Sequence, residues 1–242
     1  MCIRDRTGTD ARVVVISSTG KHFSAGMDLA VFSDPSGAPM GGDQGRMAEN
    51  LRRVVLQLQD CLSVLEQVRI PVLAAIQGGC IGGALDLVCA ADSRYCTEDA
   101  FFTIKETPLG MTADVGTLQR LPKLMPQGLV RELDYTGRKV GAREALEQGL
   151  VNSVYGNAED MLTAVMAIAA EIAANSPLAV IGCKEMLNFS RDHSVEDSLK
   201  YMATWQAGMF RPDDMMLTFQ AQAQKQQAEY PDLVPIKGLF EA

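Results

Sequence analysis

Three carboxylates carry the chemistry this sequence could do. Asp86 lies in Cys80-Ile81-Gly82-Gly83-Ala84-Leu85-Asp86, between two of the most apolar stretches of the chain, Pro71 to Ile76 and Leu87 to Ala91. A charge at such a place needs partners or a task, because burying it unpaired is costly. The glycines before it supply a candidate task. A strand ending near Gln77 that feeds Gly82-Gly83 and then an apolar helix presents unpaired backbone N–H groups at a buried helix start, where negative charge is favoured. The Gly83 N–H is then a candidate donor to an oxygen that becomes negative during a reaction. The plainer reading is a helix–sheet contact that needs glycine for close approach. Glu106 and Asp114 follow at intervals of 20 and 8 residues. Taken singly, Glu106 reads as a surface residue at a strand end and Asp114 as the N-cap of the next helix. Carboxyl groups beside anion-stabilising amides are what acid–base catalysis requires, one taking a proton and another giving it.

The elements that must position these groups alternate along the chain. Val13 to Ser17 reads as a buried strand, followed by a loop rich in Gly, Ser and Pro (Ser18 to Asp43) and a helix over 44–67 whose Val54, Leu58, Cys61, Leu62 and Leu65 recur at helical spacing. A strand over 71–76, a helix over 82–90 and strands over 93–96 and 101–104 come next. Strands separated by helices predict right-handed crossovers and a largely parallel, covered sheet, so the fold class is α/β. Helices are expected over 115–124, 127–135 and 142–149, a strand over 151–155, and helices over 158–174, 177–190, 194–210 and 213–227. Pro177 and Pro212 mark helix starts in this mostly helical last third. The Gln/Ala-rich tract from Gln220 to Ala228 reads as a solvated helix.

Composition narrows the class. At 242 residues, about half of them apolar, the chain can bury a full core. A net charge of −8 with scattered signs provides no phosphate-neutralising patch, so nucleic acid is excluded as a partner. No run of 18 apolar residues exists, which argues against membrane insertion. The six cysteines lack CxxC or metal spacing and fit a reducing, cytoplasmic setting. His22 and His193, the two histidines, have no Ser or Cys partners in a triad pattern and read as structural.

A second motif, Phe23-Ser24-Ala25-Gly26-Met27-Asp28-Leu29, follows the first strand. Together with the glycine segment after the next strand it resembles the crotonase (enoyl-CoA hydratase/isomerase) superfamily, in which these two segments supply two oxyanion-binding N–H groups. The resemblance implies that Met27 and Gly83 are those donors and that Ala25, Gly26 and Asp28 contribute to CoA binding. Asp28 has an equal claim as a turn residue or helix N-cap. The Asp86-to-Glu106 interval is that of the superfamily, and the added Asp114, with "QGGCIGG", "DAFF", "ADVGTLQRLPK" and "SRDHSVEDSL", resembles its dienoyl-CoA isomerase branch.

That resemblance implies a ββα spiral core with a helical C-terminal region, divided at 1–190 and 191–242, the latter serving trimer contacts or as a lid. The strands and helix the superfamily would carry before Val13 are absent from the sequence, and the Met1-to-Arg6 start is unlike them, so a missing N-terminus is expected. The implied function is to shift the double bonds of 3,5-dienoyl-CoA to 2,4-dienoyl-CoA in unsaturated fatty acid β-oxidation. Asp86, Glu106 and Asp114 are the catalytic set, Glu106 and Asp114 shuttling the proton between C2 and C6 while Asp86 raises a neighbour's proton affinity. Which of the two serves C2 is open on the sequence. Burial of all three in a dry pocket is expected, as are an acyl-CoA ligand, no metal and no separate cofactor, and a homotrimer or hexamer. The C-terminal Gly-Leu-Phe-Glu-Ala is not an SKL-type peroxisomal address. The alternatives are a hydratase, disfavoured because Asp86 is a methylene shorter than glutamate, a Δ3,Δ2-enoyl isomerase, and a non-catalytic CoA-binding subunit.

Overall fold

The computed structural model of the chain describes residues 10–28, 30 and 43–234; the Met1-to-Arg6 start with Cys2, Leu29, most of the loop before residue 43 and the C-terminal Gly-Leu-Phe-Glu-Ala lie outside the described residues. Four strands form an all-parallel sheet in the order β1 (Val14–Ile16), β2 (Val72–Ile76), β4 (Ser93–Thr97) and β7 (Ser153–Tyr155). A smaller sheet stacks β3 (Gly79–Ile81) parallel to β5 (Phe101–Thr103), with β6 (Val140–Gly141) antiparallel at its edge.

The sequence of β2, VLAAI, is apolar throughout because both of its faces are covered. The two-residue period of a strand then divides its side chains. Val72, Ala74 and Ile76 enter the main core with Leu85 and Val88 of α2 (Gly83–Cys89), whereas Leu73 and Ala75 meet Met161, Val165 and Ala169 of α6 (Ala158–Ala173) on the other face. Three cysteines, Cys80, Cys89 and Cys96, are buried as small hydrophobes, while Cys61 and Cys183 are exposed.

Helix α1 (Gln44–Gln67) has the bounds expected from its periodicity, with Asp43 capping the N–H groups of Gly45 and Arg46. It meets the core at its C-terminal end, through the buried Leu65 and the partly buried Val64; Val54 and Leu58 stay exposed in the single chain. Helix α7 (Pro177–Asp192) runs across the expected 190/191 boundary and is tied to α1 and β2 by the buried Lys184. Its Nζ donates to the carbonyls of Leu65 and Ile70 and pairs with Asp92, which also accepts the Val72 N–H. Neither α8 (Val195–Met209) nor α9 (Pro212–Ala223) contains a fully buried residue.

Several bounds differ from the periodicity. The Gly79–Ile81 segment, expected as loop, is strand β3, because Ser24 and β5 flank it and take its backbone groups. The two-residue β6 was too short to leave a periodic signal. The helix expected over 115–124 is α3 (Thr117–Arg120) followed by a 3₁₀ turn, Leu121–Lys123. Gly116, at φ 138°, cannot belong to a helix, and Pro122 lacks the N–H that an α-helix would need there. α4 (Gln127–Thr136) matches, α5 stops at Glu147 (Ala142–Glu147), and α9 ends at Ala223, so the Gln/Ala tract leaves the helix before its end.

Candidate active site

The site is built at the junction of β3 and α2. Gly82 stands at φ 55°, ψ −122°, a conformation open to glycine, and turns the chain so that α2 begins at Gly83. The Gly82 N–H is used by the Thr103 carbonyl, and the Leu85 and Asp86 N–H groups by the Gly82 carbonyl. Among the described residues the Gly83 N–H has no acceptor. Past the other end of α2 the buried Arg94 donates to the carbonyls of Val88 in the helix's last turn, of Ala91 just beyond it and of Leu150, placing a cation at the helix C-terminus.

The second donor comes from the loop after β1. Ser24 is bridged to Cys80, its N–H reaching the Gly79 carbonyl at 3.1 Å and its carbonyl accepting the Ile81 N–H at 3.2 Å. Gly26, at φ 87°, lies against the same junction: a Cβ there would stand 2.7 Å from the Ile81 carbonyl oxygen and 3.5 Å from the Gly83 nitrogen. The Gly26–Met27 peptide therefore sits beside the Gly83 amide, and the Met27 N–H likewise has no acceptor among the described residues. His22 proves structural, its Nδ1 accepting the Gly79 N–H at 2.9 Å. Asp28 takes the turn role, accepting the Ala30 N–H at 2.9 Å, while Ala25 and Asp28 are exposed.

Gly26→Ala tests this close approach. The left-handed φ alone costs an L-residue about 1–2 kcal/mol, and the Ile81 contact forces the backbone to shift. The variant is expected to melt below wild type and to lose about ten- to a hundredfold in kcat as the Met27 amide moves. Gly83→Ala is the control for stability: a Cβ there meets nothing within 4 Å, and calorimetry should find its melting temperature unchanged.

Asp86 projects from the first turn of α2 and is fully buried. Its Oδ1 accepts the Thr117 N–H at 2.5 Å, and its Oδ2 has no partner. Glu106 is half-buried ahead of a 3₁₀ turn, Thr107–Leu109, that is held by α4: Pro108 packs on Gly137, the left-handed C-cap of α4, where a Cβ would lie 2.3 Å from Cγ of the proline. Its Oε2 accepts the Lys105 N–H at 2.8 Å, and its Oε1 is 3.1 Å from where a Cβ on Gly82 would stand. That glycine makes room for the carboxylate. Asp114 is exposed, and its carbonyl, not its side chain, is held, by Nε2 of Gln59 at 2.6 Å.

The expectation of one dry pocket for all three is therefore corrected. Asp114 lies exposed in the irregular segment before Gly116, and the N-cap of α3 is Gly116 rather than Asp114. The Asp114 charge still reaches the other two. Burial, and then the charges on Asp86 and Asp114, raise the Glu106 carboxyl against its own and the Lys105 N–H groups. Burial also raises Asp86, with the Asp114 charge adding to it and the Thr117 and Arg120 contacts opposing it. Sequence reasoning missed Thr117, the one hydrogen-bond donor to Asp86, and Gln59, because neither has a motif of its own. Among the described residues no group of three His, Cys, Asp or Glu side chains is placed to hold a metal ion.

The raised Asp86 has a consequence for stability. A carboxyl with higher proton affinity in the folded than in the unfolded state stabilises the fold below its free value of 3.8, and that contribution is lost as pH rises through the folded value. Asp86→Asn removes the pH-dependent loss while keeping an acceptor for Thr117. The variant is expected to melt about 2–4 °C above wild type at pH 8, as relief of about 1 kcal/mol would give. The advantage should shrink to nothing near pH 3.5; melting curves across that range check it.

This arrangement, two free amides at a strand–helix junction with carboxylates around them, is that of an acyl-transforming enzyme of the α/β class. A family model described as enoyl-CoA hydratase/isomerase matches residues 4–232, and the chain belongs to that family. It is 49% identical over 218 residues, 90% of this chain and 67% of the relative, to the mitochondrial Δ3,5-Δ2,4-dienoyl-CoA isomerase of Mus musculus. The peroxisomal Δ3,5-Δ2,4-dienoyl-CoA isomerase of Arabidopsis thaliana is 44% identical over 225 residues, 93% of this chain and 81% of the relative. Among solved structures, the enoyl-CoA hydratase from Bacillus anthracis superposes with a TM-score of 0.79 at 32% identity, over 90% of this chain and 81% of that one. The mitochondrial and peroxisomal names of the relatives give the expected cytoplasmic setting no support. No single helix among the described residues is long and apolar enough to cross a membrane.

Proposed function

We propose that the chain is a Δ3,5-Δ2,4-dienoyl-CoA isomerase serving the β-oxidation of unsaturated fatty acids. The observation that carries the reading is the pair of free amides, Met27 and Gly83, at a junction where the buried Asp86 keeps one oxygen without a partner and Glu106 abuts Gly82. In a 3,5-dienoyl thioester the C2 protons are acidified by both the carbonyl and the diene. A carboxylate that removes one leaves a dienolate whose oxygen is held by the two N–H donors and whose carbon density extends to C6. Protonation at C6 gives the conjugated 2,4-diene. One proton leaves C2 and one arrives at C6, so the reaction needs one carboxylate and one carboxylic acid and nothing else.

Geometry favours an assignment the sequence left open. Glu106 abuts Gly82, whose neighbour Gly83 is an oxyanion donor, so Glu106 faces the carbon next to the carbonyl, C2. Asp114, further out on an exposed segment, serves C6. Asp86 touches neither and raises the proton affinity of Glu106 through its charge. The exposed segment Ala25 to Asp28 would receive the CoA moiety. Exposed apolar side chains on α8, its C-cap and α9, among them Leu199, Met209, Phe210 and Phe219, support assembly into a homotrimer or hexamer.

The test is the rise in ultraviolet absorbance that accompanies diene conjugation when the purified chain meets 3,5-octadienoyl-CoA. Turnover is the expected result. Its absence, with CoA thioester binding retained, would leave a non-catalytic binding subunit.

A further inference from the structure

Helix α1 takes no part in the chemistry above, yet Gln59, Ser63 and Glu66 fall at i, i+4 and i+7, a single stripe of a helix. All three reach across to the segment that carries Asp114 and Thr117. Gln59 donates to the Asp114 carbonyl at 2.6 Å, and Arg120 donates to Ser63 Oγ at 2.9 Å and Glu66 Oε2 at 2.7 Å. The Arg120 and Glu66 side chains are only 13% and 15% exposed, and Glu66 is held from its other side by Arg191 of α7. The Arg120 guanidinium fills the space over Gly116 so completely that a Cβ there would fall 1.9 Å from its Nη1.

We propose that Arg120, clamped by Ser63 and Glu66, is a positioning residue which, with Gln59, fixes the Asp114–Thr117 turn on α1 and so decides where Asp114 stands and whether the Thr117 N–H meets Asp86. Local structure cannot do this. α3 has four residues and a glycine N-cap without a side-chain bond, too little to hold its own geometry in water. A largely buried ion pair is a poor source of stability, because desolvating two charges offsets most of their attraction. Its directed, forked hydrogen bonds are suited to fixing a loop. Asp86 is faced by Asp114, Glu106 and Arg120 and by the thiols of Cys80 and Cys89, both kept neutral by burial, the latter pushed up to about 12. Arg120 is the cation among them, and its charge opposes the effect of burial on Asp86.

The effect on turnover rests on the isomerase reading; the effect on Asp86 does not. The experiment compares wild type with Arg120→Met, Arg120→Lys and Gln59→Ala in steady-state kinetics on 3,5-octadienoyl-CoA and in carboxyl titrations of protein labelled with ¹³C at aspartate. Arg120→Met is expected to lower kcat about a hundredfold, as a displacement near 1 Å would, with KM within about twofold, and to move the Asp86 titration to higher pH. Arg120→Lys keeps the cation and should restore the titration while recovering only part of kcat. Gln59→Ala, which removes one partly exposed hydrogen bond, should lower kcat about tenfold at an unchanged melting temperature, and it answers the question if Arg120→Met does not fold. Wild-type kcat in Gln59→Ala, or an unmoved Asp86 titration in folded Arg120→Met, overturns the proposal. Should wild type show no isomerisation at all, the functional reading fails while the titration still decides this one.

Discussion

Replacing Glu106 by Gln is expected to lower kcat on 3,5-octadienoyl-CoA by about 10²–10⁴-fold, the usual worth of a positioned proton-transfer group. The amide keeps the shape of the side chain and an oxygen for the Lys105 N–H, and it still fits beside Gly82. The fold should therefore stand, and KM should change little. What the amide cannot do is accept the C2 proton. Incubation in D₂O checks the step itself: wild type exchanges deuterium into C2, and Glu106→Gln should not. The pH profile checks the environment. Burial and the charges on Asp86 and Asp114 raise Glu106 above the 4.5 of a free glutamate, so the acid limb of kcat/KM should lie above that value. Asp86→Asn removes one of the two like charges and should move the limb to lower pH. Exchange that persisted in Glu106→Gln would remove Glu106 from the mechanism.

How much of this was legible in the sequence depended on the range of the interactions. Helix α1 could be read to the residue because its period runs for 24 residues and Asp43 caps it. The interval between Asp86 and Glu106 was legible because each of these carboxylates sits on short local structure, the first turn of α2 and the 3₁₀ turn after Glu106; Asp114 was legible only through the family resemblance, since its segment is held from α1. β3 and β6, of three and two residues, were not, since they exist only through partners distant in sequence, β5 for both and Ser24 for β3. Nor was the Gln59 bond to Asp114, which spans 55 residues and joins a side chain of no distinctive type to a main-chain carbonyl. The misjudged burial of Asp114 has the same origin. The sequence put three acids at catalytic intervals, but which of them is covered depends on what packs over the loop, and among the described residues nothing covers Asp114.

That exposure makes Asp114→Asn the sharpest test between reactions on this scaffold. The Asp114 side chain makes no hydrogen bond or ion pair among the described residues, and the bond that fixes the loop goes to its carbonyl, which the substitution leaves in place. Stability should stay within about 0.5 kcal/mol of wild type. Any loss of turnover then belongs to the chemistry. If Asp114 delivers the proton to C6, kcat for diene conjugation should fall about 10²–10⁴-fold. Glu106 is untouched in this variant, so deuterium should still enter C2 from D₂O: the dienolate forms, finds no acid at C6, and returns. Addition of water across a 2-enoyl thioester requires no group at C6, and a hydratase would lose little on the same substitution. Wild-type conjugation rates in Asp114→Asn would exclude the C6 role, and simultaneous loss of exchange and conjugation would mean that Asp114 acts on the C2 step instead.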